Sequence, residues 1–191
     1  MPKARRTDFA HDSCANGQQI KCLTVLDEYS RECLAIEVGS SISSKRVLGV
    51  LWRLFQQHGV PLHLRSDNGP EFIAEVVKAW LARMGTQTEY IEPGKPWQNA
   101  QAESFISRFR DECLDMEVFL NLRDARDQIE RWRHEYNTEH LHSSLGYRTP
   151  AEAGGGRTRP DHLQRSTGSG TFMMMPSFMT GWTGSMGACP R

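Results

Sequence analysis

The chain lacks the cysteine and histidine pairs that build zinc sites and the long apolar runs that cross membranes. Its five cysteines are odd in number and widely spread, and no Cys-x-x-Cys occurs, so nothing predicts bound zinc. No run approaches the roughly 18 apolar residues of a membrane span. The basic start, Met1–Arg6, has no apolar stretch behind it, unlike a signal peptide. These absences predict a cytoplasmic protein with reduced thiols and no membrane partner.

The sequence also lacks an excess of charge of either sign. Lysine plus arginine and aspartate plus glutamate number 23 each, so the net charge does not indicate a nucleic-acid partner. Basic residues are in slight excess in 1–66 and 149–191, whereas 67–148 is acidic. On charge alone, a solvated mixed-charge surface is at least as good an interpretation as a DNA-binding surface.

A chain of 191 residues is long enough for one domain with a full core. Apolar and β-branched runs predict five strands, at 6–12, 20–26, 33–38, 62–66 and 86–91. Apolar residues spaced three and four apart predict four helices, at 43–58, 70–84, 98–114 and 122–137. This order predicts an α/β fold with a mixed five-stranded sheet flanked by helices, in which a meander precedes the helix-linked, parallel strands.

The last residues change character. From Gly154 onward the chain is rich in glycine and methionine and has no sustained period. We therefore predict a domain over 1–153 and a poorly ordered tail over 154–191.

Three acidic residues lie on different predicted elements. Asp8 lies on the opening strand, Asp67 ends the fourth strand, and Glu103 lies off the apolar stripe of its helix, 35 residues beyond Asp67. Carboxylates from two strands and a facing helix can converge on divalent metal, which prefers oxygen ligands and assists phosphodiester cleavage and transfer. Each acid alone also has a plainer explanation, since Asp67-Asn68-Gly69 is a favourable turn and Glu103 suits a solvated helix face.

An ordered series of motifs supports the metal-site interpretation. Its members are Asp8-Phe9, Leu26-Asp27-Glu28-Tyr29-Ser30-Arg31-Glu32, Arg65-Ser66-Asp67-Asn68-Gly69-Pro70-Glu71-Phe72, Pro93-Gly94-Lys95-Pro96, Gln98-Asn99-Ala100, Glu103-Ser104-Phe105, His142-Ser143-Ser144-Leu145-Gly146-Tyr147 and Thr149-Pro150-Ala151-Glu152. The series closely resembles the catalytic core of the second-frame transposase of the insertion-sequence-three family, which in turn is similar to retroviral integrase cores. The resemblance covers about 5–153, and the gap of 35 residues between Asp67 and Glu103 equals the spacing that gives this family its D,D-35-E label.

The resemblance implies a ribonuclease-H-like fold, Mg²⁺ or Mn²⁺ as cofactor, and DNA cleavage followed by transfer of a 3′-hydroxyl end. By position, Asp8, Asp67 and Glu103 would be the catalytic metal ligands. DNA is the implied partner, and an active homo-oligomer is implied because transposition acts on two DNA ends. No small-molecule substrate is expected.

Four polar residues are candidate DNA contacts. Lys95 and Asn99 could contact phosphate or a metal-bound water, although a loop lysine and a polar residue at a helix start also need no function. Arg108 and Arg110 are further candidates, and ion pairs with Asp111 or Glu112 are the plainer alternative.

Other candidate ligands were set aside. Asp12, four residues from Asp8 on the same strand, is the acid most easily confused with it, and Asp27 suits a structural role in the hairpin turn. His11 and His142 are poor ligands for Mg²⁺, and His142 is expected to tie down the end of the domain.

The sequence departs from the family in three respects. Arg5 stands where the family usually has tryptophan, His140-Leu141 replaces the usual Arg-Pro, and the upstream helix-turn-helix region is absent, so we predict a truncated copy with a short opening strand. Three hypotheses remain: a transposase core, a non-catalytic remnant that binds DNA or associates with intact transposase, and a stand-alone ribonuclease of the same fold.

Overall fold

The computed structural model describes residues 4–67, 69–90 and 100–155. Its strands are β1 Ala4–Ser13, β2 Gln19–Asp27, β3 Cys33–Gly39, β4 His63–Ser66 and β5 Gln87–Tyr90. Its α-helices are α1 Ser44–His58, α2 Pro70–Ile73, α3 Glu75–Arg83, α4 Ala100–Phe109, α5 Leu122–Glu139 and α6 Pro150–Ala153. No described helix is long and apolar enough to cross a membrane.

The five strands form one mixed sheet in the order β3-β2-β1-β4-β5. β1 pairs antiparallel with β2, and β2 with β3, whereas β1 pairs parallel with β4, and β4 with β5. The predicted mixed sheet of five strands flanked by helices is therefore confirmed. The expected short opening strand is wrong, because β1 has 10 residues and pairs with β2 from Arg5 to Ser13.

Each face of the sheet carries its own apolar core. One core joins the sheet to α1 and α3 and includes Leu23, Val25, Leu51, Leu64, Val77 and Trp80. The other joins it to α4 and α5 and includes Ala10, Cys22, Phe105, Phe109, Ile129, Trp132 and Tyr136. Because successive strand residues point to opposite faces, Ala10 packs under α4 while neighbouring Phe9 packs on the α1 side.

The capping residues set the helix starts. The Ser43 hydroxyl accepts from the Arg46 N–H at the start of α1, and the Asn121 side chain accepts from the N–H groups of Arg123 and Asp124 at the start of α5. Both interactions satisfy N–H groups that have no partner within the helix.

The single helix predicted from Pro70 to about Met84 is wrong. Ala74, with φ −55° and ψ 128°, leaves the helical region, so α2 ends at Ile73 and α3 begins at Glu75. The break lets Phe72 pack on Phe9, with ring centroids 5.4 Å apart, whereas Ile73 and Val76 of the predicted apolar face are exposed.

The helix predicted to reach about Leu114 changes type near its end. After α4, Arg110–Leu114 forms a π-helical turn, and the Asp115 N–H donates to the Arg110 carbonyl. The wider turn buries Cys113 and Leu114 beneath α5. Burial raises the pKa of the Cys22, Cys33 and Cys113 thiols to about 12, so these thiols stay protonated as small apolar groups.

Arg5 is buried on the α1 face of the sheet, 1% exposed. Its Nη2 donates to the Gly59 carbonyl at 2.8 Å, and its guanidinium carbon lies 5.5 Å from the centre of the Phe55 ring. Nε and Nη1 have no hydrogen-bond partner among the described residues. Burial lowers the pKa of Arg5 to about 10 despite the opposing charge of Asp27.

Of the predicted tail, only Gly154 and Gly155 belong to the described residues. The described part of the chain falls within the first of two units, 1–158 and 159–191. The boundary of the domain at 153 therefore stays a prediction.

Candidate active site

Asp8 and Asp67 occupy equivalent positions on two adjacent parallel strands. Ala4, Arg5 and Arg6 of β1 face His63, Leu64 and Arg65 of β4. Continuing this register by two residues brings Asp8 opposite Asp67, the residue that follows β4. Neighbouring strands lie about 4.8 Å apart, so this continued register would place the two backbone positions side by side.

Both aspartates lie on the face that carries α4. Along β1, Asp8 alternates with Phe9 and shares its face with Ala10, which packs in the α4 core. Along β4, Leu64 belongs to the α1 core, so Arg65 and then Asp67 fall on the opposite face. Asp8 is half-buried, and its Oδ1 accepts from the Phe9 N–H at 2.7 Å.

In the turn after Asp67, two carboxylates lie close to Gly69. Gly69 N–H donates to Asp67 Oδ1 at 3.3 Å. A Cβ on Gly69 would lie 3.1 and 3.3 Å from the two Asp67 oxygens and 3.2 Å from Glu71 Oε2. The glycine is therefore needed for space, since its φ of −60° is open to any residue. Asn68, predicted to shape this turn, lies outside the described residues.

The Glu71 side chain is held by Lys21 of the sheet. Lys21 of β2 donates to Glu71 Oε1 at 2.5 Å, and its Nζ lies 4.2 Å from the centre of the Phe9 ring. Burial alone would raise the pKa of Glu71, but hydrogen bonding and the charge of Lys21 outweigh it and hold that pKa below its usual value. This contact ties the turn after Asp67 to the sheet.

Glu103 lies in the first turn of α4, and its side chain is exposed. Ala102 and Phe105 face the core, so Glu103 lies off the buried stripe, as predicted. Among residues 4–67, 69–90 and 100–155, no group of three or more His, Cys, Asp or Glu side chains could already hold a metal ion. Asp8 thus lies on β1 and Asp67 directly after its parallel neighbour β4, and Glu103 lies on the helix packed on the same face, but the three do not form such a group.

The acids set aside from the sequence have local roles. Asp27 Oδ1 accepts from the backbone N–H groups of Tyr29 and Ser30, each at 3.0 Å, which confirms its structural role in the hairpin turn. Asp12 Oδ1 accepts from the Ser13 N–H at 2.7 Å. His142 forms a β-bridge with Arg148 and packs edge-on against Tyr136, so it holds the end of the domain as expected.

Two of the four candidate DNA contacts, Arg108 and Arg110, lie within the described residues. Arg108 donates from Nη1 to His140 Nδ1 at 3.0 Å, and its Nε lies 3.9 Å from Glu112 Oε1, in line with the plainer alternative of an ion pair. Arg110 is exposed in the π-helical turn. Lys95 and Asn99 lie outside the described residues.

A chain of charged side chains crosses the sheet next to the two aspartates, and the sequence patterns did not reveal it. Glu28 accepts from Arg6 at 3.0 Å and from Arg65 at 2.6 Å, while Arg65 also donates to Glu89 at 2.6 Å. The hydrogen bond to Glu89 raises the pKa of Arg65, and the same bond lowers the pKa of Glu89. One sequence signal could have indicated this charged network. Arg6 precedes Asp8 by two residues and Arg65 precedes Asp67 by two, so on neighbouring parallel strands the two arginines would need nearby counter-charges.

Models of two families, both described as integrase core domains, match residues 3–96 and 84–150. The chain is 45% identical over 145 residues to an uncharacterised 39.2 kDa protein of insertion element IS476 from Xanthomonas euvesicatoria, covering 76% of this chain and 42% of that protein. It is 41% identical to an uncharacterised 31.7 kDa protein of insertion element IS407 from Burkholderia multivorans, covering 76% of this chain and 52% of that protein. The chain thus spans about half the length of these two relatives.

A third relative is matched over more of its length. The chain is 31% identical over 147 residues to the putative transposase InsD for insertion element IS2E of Escherichia coli strain K12, covering 73% of this chain and 67% of that protein. Among solved structures, the HTLV-2 integrase catalytic core domain in complex with magnesium has a TM-score of 0.55 at 13% identity, covering 78% of this chain and 94% of that chain. At that identity the likeness establishes the fold alone.

Proposed function

Because the chain belongs to the integrase core family of insertion-element transposases, we propose that it is a transposase catalytic core that cuts and joins DNA strands. The observation that carries this proposal is the parallel register of β1 and β4, in which Arg6 faces Arg65; Asp8 and Asp67 follow two residues further along each strand. Two carboxylates held on adjacent backbones are a rigid base for a divalent cation, and α4 presents Glu103 on the same face of the sheet.

The three proposed ligands fit an oxygen-preferring ion. Each contributes a carboxylate, the donor that Mg²⁺ and Mn²⁺ favour, and none contributes a thiol or an imidazole. When bound, the metal would supply positive charge that activates the attacking oxygen and stabilises the leaving oxygen of an in-line displacement. We assign Asp8 and Asp67 as the strand ligands and Glu103 as the ligand from the helix.

The reaction is a displacement at phosphorus. In cleavage, a water oxygen bonds to phosphorus as the bond to the departing 3′-oxygen breaks, which leaves a free 3′-hydroxyl. In transfer, that hydroxyl bonds to phosphorus in a second strand and displaces its 3′-oxygen. The proposed role of the sheet is positional: rigid strands hold Asp8 and Asp67 so that the reacting oxygens need little rearrangement.

The proposed partners are DNA and further copies of the chain. Transposition joins two element ends to a target, and one catalytic core per end requires at least two copies. Arg110 in the exposed π-helical turn, with Lys95 and Asn99 before α4, remains a proposed phosphate contact. We propose that Arg108 acts more weakly on DNA, since His140 and Glu112 already engage it.

The decisive experiment is metal-dependent nicking and strand transfer on labelled DNA with Mg²⁺ or Mn²⁺. Asp67→Asn and Glu103→Gln are each expected to reduce both activities to background while circular dichroism shows a folded protein. Asp12→Asn is the matched control, since it removes an acid four residues from Asp8 on the same strand and should leave activity unchanged. Full activity in both Asp67→Asn and Glu103→Gln would overturn the assignment.

A non-catalytic remnant is the second candidate. It is favoured by the absence, among the described residues, of a group of three acids that includes Glu103. A remnant would bind DNA or intact transposase, and its affinity for Mn²⁺ in calorimetry would be the same with and without Asp67→Asn.

A further inference from the structure

Three charged residues stand side by side on adjacent strands of the face that carries the proposed site. Arg6 of β1 faces Arg65 of β4, and Arg65 faces Glu89 of β5. Arg65 precedes Asp67 by two residues on the same face, so the two backbone positions are about 7 Å apart. An arginine side chain easily spans that distance, and guanidinium pairs readily with carboxylate.

Glu28 lies between two like charges on adjacent strands and binds both. Its Oε1 accepts from Arg6 Nε at 3.0 Å and also lies 3.0 Å from Arg6 Nη2, and its Oε2 accepts from Arg65 Nη1 at 2.6 Å. The Glu28 backbone is itself anchored, because its N–H donates to the Ala4 carbonyl at 3.0 Å. The Glu28 side chain is only 14% exposed, which shields these pairs from solvent.

Glu89 completes the restraint on Arg65. Its Oε2 accepts from Arg65 Nε at 2.6 Å, and its Oε1 lies 2.6 Å from His63 Nδ1. Arg65 is therefore held by two different carboxylates through two different nitrogens. Glu89 is 39% exposed, so its hold is weaker than that of Glu28.

We propose that Glu28 is a positioning residue that keeps the Arg65 guanidinium away from Asp67, so that this carboxylate accepts a metal cation instead of an arginine. The inference rests on the proposed function, since it concerns the metal affinity of the same site. Without the Glu28 charge, Arg65 keeps Glu89 as a carboxylate partner, but its freed Nη1 group can turn toward Asp67, two residues along the same face. A guanidinium there competes directly with the cation.

The test is a calorimetric titration of the full chain with Mn²⁺, which requires neither DNA nor turnover. Glu28→Gln keeps the shape and one acceptor oxygen but removes the charge, and it is expected to weaken Mn²⁺ binding on the order of tenfold. Adding Arg65→Gln to Glu28→Gln removes the competing cation and should restore most of the affinity. A purely structural role for Glu28 would predict further weakening in the double variant instead.

Glu37→Gln is the matched control. Glu37 of β3 also bridges two arginines, Arg46 at 2.5 Å and Arg53 at 3.4 Å, but it does so beside α1, away from both aspartates. Its loss should leave Mn²⁺ affinity unchanged. If Glu28→Gln does not fold, Glu89→Gln offers the same comparison at a more exposed position, with an expected loss of about threefold.

The outcomes separate the inference from the function on which it rests. If Asp67→Asn does not change Mn²⁺ binding, the proposed metal site is wrong. If Asp67→Asn abolishes binding while folded Glu28→Gln binds like the wild type, the site stands and the positioning role is refuted. If the double variant binds no better than Glu28→Gln, Arg65 is not the competitor and the inference fails.

Discussion

Beneath α4 and α5, the rings of Phe105, Phe109, Trp132 and Tyr136 pack with centroids 4.9 to 6.2 Å apart, whereas Arg6, Arg65, Asp8 and Asp67 bring charge to the strands of the same face. The aromatic region excludes water and gains from dispersion and burial. The charged region instead balances each cation against a carboxylate. The two regions have different roles. Packing of the aromatic rings holds the strands at a fixed spacing, and the charged region presents ligands at that spacing.

The largest effect on stability is expected in the aromatic region. Trp132→Ala removes a buried ring that contacts Phe105, Phe109 and Tyr136, so unfolding should become easier by about 3–5 kcal/mol in a denaturant titration. Arg131→Ala, at the exposed neighbouring position of α5, is the control and should change stability by less than about 0.5 kcal/mol. A Trp132→Ala variant as stable as the control would show that the aromatic region does not stabilise the fold as described.

A substitution at Gly69 should separate the two regions, because it is expected to lower activity while it leaves stability nearly unchanged. Gly69→Ala places a Cβ 3.1–3.3 Å from the Asp67 and Glu71 oxygens, so Asp67 must move, and strand transfer should fall on the order of a hundredfold. Unfolding free energy should change by less than about 1 kcal/mol, since the φ of Gly69 suits alanine.

Gly49→Ala in α1 is the corresponding control. A Cβ there meets nothing within 4 Å, so the variant should gain roughly 0.5–1 kcal/mol of stability and keep its activity. Equal activity of Gly69→Ala and Gly49→Ala would show that the close approach at Gly69 does not position Asp67.

A third effect depends on pH. Because the folded pKa of Glu71 is lowered, its pair with Lys21 contributes stability above the ordinary carboxyl value of 4.5, and this contribution is lost as pH falls through the folded pKa. The wild type should exceed Glu71→Gln by roughly 1 kcal/mol at pH 7, and the difference should vanish in acid. Thermal unfolding of both proteins over a pH series from 7 into strong acid measures it; a difference that stays constant over the whole series would refute the ionic origin.

The smallest effect concerns Arg5, a buried cation on the α1 face. Arg5→Met removes a guanidinium with two unsatisfied nitrogens but also the bond to Gly59, so stability should change by less than about 1 kcal/mol in either direction. Chemical denaturation of both proteins measures the change. A loss of about 3 kcal/mol or more would show that Arg5 has a further buried partner.

Local patterns were enough to predict most of the elements. Apolar periodicity predicted α1 and α5 within about two residues, and the order of strands and helices predicted the antiparallel and parallel halves of the sheet. The break at Ala74 was missed because it follows from the packing of Phe72 on Phe9, a contact between distant segments. The π-helical turn at Arg110–Leu114 likewise depends on burial beneath α5.

The candidate site was predictable only in part, because some of its contacts also join distant segments. Motif order and spacing singled out Asp8 and Asp67, and the observed register brings their strand positions together. The sequence could not reveal that Glu28 bridges Arg6 and Arg65, because the bridge joins the end of β2 to two other strands. Only tertiary structure determines which counter-charge each arginine meets.

The most direct test of the metal site is the anomalous scattering of manganese in crystals grown with Mn²⁺. A peak is expected within bonding distance of carboxylate oxygens from Asp8 and Asp67, with Glu103 as the third protein ligand, and no such peak is expected in crystals of Asp67→Asn. A saturating Mn²⁺ concentration that gives no density between the two aspartates, or gives it only at other acids, would contradict the account.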